Sequence, residues 1–132
     1  MKTIKQIVVI KASPEQVYDA LMESKKHVAF THDKAKISKK VDGKFSAYGR
    51  YITGKNLELI RGKKIYQSWH ASDWPEGWNS KVTFIFDKIK EGTKDSTRLT
   101  FTHEGVPSEY YESIKKGWID FYWDPLKEYL EK

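Results

Sequence analysis

His27, His32, His70, His103 and Tyr122 are candidates to hold or move a proton, and Gln67 could hydrogen-bond beside them. A helical zinc site would pair histidines at i and i+4 and add a carboxylate, and the four histidines show neither feature. No glycine-rich loop is present to cradle a phosphate, and no serine sits in a nucleophile elbow. The chain has no cysteine, so disulfides, thiolate metal sites and a thiol nucleophile are excluded together. No catalytic residue, metal or cofactor is therefore expected from the motifs. Acid–base chemistry would need Gln67, His103 and Tyr122 to converge inside a cavity.

The other chemistry available is binding. Trp69, Phe84, Phe101, Trp118 and Tyr122 could stack on a ring or a sterol, although aromatics at these spacings also build ordinary cores. Gln67 and His103 fall on alternate positions shared with apolar residues. They are either polar anchors of a ligand or core groups bonded to the protein. Trp74 and Trp78 flank Pro75 and Gly77 in a loop, where they would form a pocket lip or a partner contact. Lys39, Lys40 and Lys64 belong to lysine-rich stretches that would attract an acidic protein or would guard a solvated strand edge.

These residues must be positioned by a few elements. Residues 4–11 are β-rich, and "SPEQVYDALM" then offers Ser13 as N-cap, Pro14 at the first helical position and Gln16 in the capping-box place. Val17, Ala20 and Leu21 give that helix one buried face. From about residue 35 to 105 the period becomes two, broken by "DGK", "TGKN", "IRGKK", "WPEG" and "KEGTKD", each read as a turn with Gly or Asn at a positive-φ position. Alternation groups Phe45, Ala47 and Tyr51; Ile65, Gln67 and Trp69; Val82, Phe84 and Phe86; and Leu99, Phe101 and His103 on one apolar face. Only the last segment, 108 to 130, is long and apolar enough to cover that face. Its apolar arc spans roughly 220°, about twice the usual stripe, and Pro125 inside it predicts a bend.

Size and composition fit a single domain over 1–132, with 39% hydrophobic residues and no apolar run near the roughly 20 residues of a membrane span. The net charge of +6 gives no helix a dense basic face with base-reading residues, so nucleic acid is not an expected partner. A cytoplasmic monomer is the expectation.

The ordered motifs Gly43 and Phe45; Thr53, Gly54 and Asn56; Gln67 and Trp69; Trp74, Pro75 and Gly77; Gly105-Val106-Pro107; and Gly117-Trp118 resemble the C-terminal-type domain of the activator of the ninety-kilodalton heat-shock chaperone's ATPase. That domain lies within the START and birch-pollen-allergen-like superfamily. With "ASPEQVYDAL" the resemblance covers nearly the whole chain. It implies an α+β helix-grip fold: a curved antiparallel sheet of about six strands wrapped around a long C-terminal helix, with one or two short helices after the first strand. Such folds often leave a cavity between helix and sheet. The resemblance therefore implies either a small apolar or aromatic ligand in that cavity, or a heat-shock chaperone as protein partner. A cavity enzyme is a third, weaker implication.

Overall fold

In the computed structural model, which describes residues 1–91 and 94–131, the chain begins with β1 (Lys2–Ile10) and passes directly into α1 (Pro14–Met22). The Ser13 hydroxyl accepts from the Gln16 N–H while the Gln16 side chain accepts from the Ser13 N–H, closing the capping box that the sequence spells out. Glu23 ends α1 and starts α2 (Ser24–Thr31), a second short helix that buries His27 and Phe30.

Six more strands follow: β2 (Ala35–Ile37), β3 (Lys44–Ala47), β4 (Ile52–Ile60), β5 (Lys64–Ala71), β6 (Ser80–Glu91) and β7 (Lys94–Val106). They join β1 in one antiparallel sheet of order β1-β7-β6-β5-β4-β3-β2. The sheet has seven strands rather than about six, because β2 is too short to show any alternation. Cross-strand partners Gln67 and Val82, and Val82 and His103, put the predicted apolar positions on one face. Tyr51 departs from the expected grouping. A 3-10 turn (Tyr48–Arg50) shifts the register, so Ile52 is buried and Tyr51 is exposed.

Two of the expected turns have another origin. "TGKN" lies inside β4. There Gly54 faces the Ser68 carbonyl and the Phe45 ring, where an added Cβ would meet atoms at 2.0 and 2.6 Å. In "DGK" the positive φ belongs to Asp42, and Gly43 is instead pressed against Ser38. Gly62 and Gly77 do take the left-handed conformation predicted for their turns. The tip of "KEGTKD", residues 92–93, lies outside the described residues.

The sheet's apolar face is covered by the C-terminal helix, which runs through a 3-10 turn (Ser108–Tyr110), α3 (Tyr111–Trp118), a π-helical turn (Ile119–Trp123) and α4 (Asp124–Leu130). The predicted bend is therefore a π turn just ahead of Pro125. Proline offers no N–H to the carbonyl four residues back, that of Phe121, and the Tyr48 hydroxyl donates to that oxygen instead. The covered arc is narrower than the sequence pattern suggests. Ile114, Trp118, Tyr122, Trp123 and Leu126 are buried, whereas Ile119 and Phe121 face solvent. Gln6 ties β1 to this helix by accepting from Trp123 Nε1 at 2.7 Å and donating to the Lys115 carbonyl at 3.1 Å.

Candidate functional site: an aromatic cleft beside the C-terminal helix

Trp118 sits at the centre of the interior. Its ring lies 4.4 Å from Phe101, 5.7 Å from Trp69 and 4.7 Å from Tyr122, centroid to centroid. Phe84 joins the same cluster, 5.0 Å from Phe101. These are packed core distances.

The two polar groups among them are bonded to the protein. His103 Nδ1 accepts from Trp118 Nε1 at 3.1 Å, and its Nε2 lies 2.7 Å from Ser80 Oγ. Ser80 Oγ in turn donates to the Trp69 carbonyl. Because Nδ1 accepts, the proton of a neutral His103 ring sits on Nε2, directed at Ser80. Burial lowers its pKa to about 3, which keeps the ring neutral at physiological pH. Gln67 Nε2 donates to Asn56 Oδ1 at 2.9 Å across the β4–β5 pair. Asn56 is fully buried and spends both of its own amide hydrogens on the Ser38 and Lys40 carbonyls, pinning the β2–β3 loop. The motif "TGKN" signalled this residue, although its role is that of a buried anchor and not of a turn.

One open cleft of about 360 Å³ flanks the helix on the β4 side. Of the predicted ligand-contacting residues, Trp69, Trp118 and Tyr122 line it, joined by Tyr48, Tyr51, Ile52, Ser113, Ile114, Gly117 and Phe121. Phe84, Phe101, Gln67 and His103 do not reach it. Phe101 and His103 serve the core, Phe101 packed on Trp118 and His103 bonded to Trp118 and Ser80. A chamber of about 20 Å³ adjoins the cleft, sharing Trp69, Trp118 and Tyr122 with it and bounded also by Gln67, Phe84, Met22 and His27. His27 was outside the predicted site. Its Nε2 lies 3.1 Å from the Tyr122 hydroxyl, and its Nδ1 is buried without a hydrogen-bond partner. Burial lowers the His27 pKa to about 4 and pushes that of Tyr122 up. Only the apolar surroundings of α2 could have hinted at His27, and they do not distinguish it from an ordinary core residue.

The predicted partner surface is assembled only in part. Trp74 is buried, its ring 5.2 Å from Trp69, and so cannot serve as an exposed contact. Trp78 is half-buried and donates its indole N–H to the Gly105 carbonyl at 2.8 Å. Both rings pack on the core, Trp74 fully and Trp78 in part. Lys39 pairs with Glu23 at 3.6 Å and Lys64 with Glu58 at 2.8 Å, while Lys40 stays exposed. Among the described residues no group of three or more potential metal ligands comes together, and no helix is long and apolar enough to cross a membrane.

Residues 11–131 match the family described as "Activator of Hsp90 ATPase homolog 1-like protein". The chain belongs to this family. An activator of 90 kDa heat shock protein ATPase homolog from Dictyostelium discoideum is 34% identical over 117 residues, which is 89% of this chain and 30% of that protein. The homolog 1 of Mus musculus is 31% identical over 117 residues, 88% of this chain and 33% of its own length. The chain thus spans about a third of the length of the curated relatives it matches. Among solved structures, an HSP90 activator from Plasmodium falciparum superposes with a TM-score of 0.89 at 26% identity, covering 99% of this chain and 97% of that one. An Aha1 dimer from Colwellia psychrerythraea shares the fold, with a TM-score of 0.81 at 23% identity and coverage of 99% and 97%.

Proposed function

We propose that this chain is a co-chaperone-type module that regulates the ATPase of a ninety-kilodalton heat-shock chaperone by contact, without chemistry of its own. The observation that carries this reading is the Plasmodium falciparum HSP90 activator, a chain of almost the same extent and fold, for which one domain of this size is the whole solved chain. The internal polar groups agree with it. His103, Gln67, Asn56 and Ser80 all bond to protein atoms, as structural groups do. The test is steady-state ATP hydrolysis by a purified chaperone of this class, with and without the chain. Stimulation that saturates with added chain is expected. Unchanged hydrolysis together with no measurable association would sink the reading.

A second reading is favoured by the cleft. Its volume of about 360 Å³ and its aromatic walls suit a small apolar or aromatic molecule held beside the C-terminal helix. Ligand binding and chaperone contact are compatible, since the cleft occupies one flank of the helix and leaves the basic strand edge free.

A further inference from the structure

The cleft and the adjoining chamber share three walls, Trp69, Trp118 and Tyr122, and differ in character. The cleft has room for one or two fused rings, whereas the chamber admits about one oxygen-sized group. Among the described residues no Asp, Glu, Lys or Arg lines either space. A charged group buried there would lose its water without gaining a counter-ion. His27 forms part of the chamber wall, and its buried Nδ1 has no hydrogen-bond partner.

The tautomer of His27 determines what that nitrogen lacks. The Tyr122 hydroxyl is buried, and His27 Nε2 is the one hydrogen-bonding neighbour it has among the described residues. A phenol proton given to Nε2 satisfies both groups and leaves the ring proton on Nδ1. The opposite tautomer strands the phenol proton as well as Nδ1, two unmet groups in place of one. His27 therefore carries a free N–H donor, and what it lacks is an acceptor.

We propose that cleft and chamber form one site for an uncharged aromatic molecule whose hydrogen-bond acceptor, a carbonyl or hydroxyl oxygen, reaches the His27–Tyr122 pair. This rests on the reading of the cleft as a ligand site and adds the chemical class of the ligand. The ring stacks between Trp118 and the Tyr48 side of the cleft, and its oxygen enters the chamber beside Tyr122. An apolar molecule of the same shape would leave the His27 donor unmet, and an anion would bring an unpaired charge.

Three probes of nearly equal shape separate the possibilities: 2-acetylnaphthalene, 2-ethylnaphthalene and 2-naphthoate, each titrated against the isotope-labelled chain while the tryptophan indole resonances are followed. The neutral ketone is expected to bind about tenfold more tightly than the hydrocarbon, the effect of one hydrogen bond, with naphthoate weakest. Equal affinity for ketone and hydrocarbon would overturn the acceptor assignment while leaving the cleft as a ligand site. Tightest binding by naphthoate would overturn the uncharged class. Failure of all three to shift Trp69 or Trp118 would remove the cleft reading and this inference with it. In His27→Phe the ketone's advantage should vanish while affinity for the hydrocarbon persists. The three-probe comparison on the unmodified chain decides the matter even if that variant folds poorly.

Discussion

His103 and His27 occupy the same interior but for different ends. His103 is bonded on both ring nitrogens, to Trp118 and Ser80, whereas His27 is bonded on one. Both are held neutral by burial, with pKa values of about 3 and about 4 against 6.5 for an unperturbed histidine. As pH falls below 6.5 the unfolded chain takes up these protons first. The stability they support is therefore complete above about 6.5 and is lost as pH drops toward 4 for His27 and toward 3 for His103. Each ring should contribute a slope on the order of 1.4 kcal/mol per pH unit in that window. Urea denaturation between pH 7 and 4.5 should show this decline, and His103→Gln should flatten part of it. A stability that stays level down to pH 4.5 would contradict the buried, neutral assignment.

At the scale of elements, the C-terminal helix depends on a contact from the far side of the cleft. Pro125 leaves the Phe121 carbonyl without its usual helical donor, and the Tyr48 hydroxyl supplies one. Tyr48 itself has a positive φ of 50° in the turn between β3 and β4, a conformation that costs a non-glycine residue energy. A turn that both strains its backbone and caps a distant carbonyl couples the helix bend to the strand edge. Tyr48→Phe should cost about 1 kcal/mol, the net value of one hydrogen bond. In a Pro125→Ala background the restored N–H can serve the same carbonyl, so the cost of Tyr48→Phe should fall by about 0.5 to 1 kcal/mol. Strictly additive effects in the double-mutant cycle would show that the two residues act independently.

For the whole molecule, the net charge of +6 is distributed so that β2, β3 and the loop between them carry Lys36, Lys39, Lys40 and Lys44 at one edge of the sheet. Exposed lysines of this kind steer association more than they hold a complex together. If the edge meets an acidic chaperone surface, raising salt from low to physiological ionic strength should slow association steeply. Reversing the charge of Lys39 and Lys40 should reduce the on-rate more than it raises the off-rate. Association kinetics that ignore salt would place the contact elsewhere, with the exposed Phe121 and Ile119 flank of the helix as the next surface to test.

The sequence by itself determined most of the elements and the buried sides of those with a clear period. A capping box and a period of two are local patterns, set by hydrogen bonds and side-chain directions within a few residues, so α1 and the buried faces of β5, β6 and β7 were legible. The set of ordered motifs was also enough to identify the family. Tertiary structure alone decided which buried groups are satisfied and where space remains. Asn56 meets Gln67 and His103 meets Trp118 across strands or across helix and sheet. Such partners are fixed by strand register and by how the helix seats on the sheet, neither of which leaves a local signature. For the same reason Trp74 and Trp78, plausible as a surface loop, fold inward, and Ile119 and Phe121, plausible as core, face water. The cleft is enclosed where Tyr48 and Tyr51, on a register-shifting turn, meet the helix flank beside the Trp69 and Trp118 rings. Its volume is the difference between two packed surfaces, and that difference appears only once both surfaces are in place.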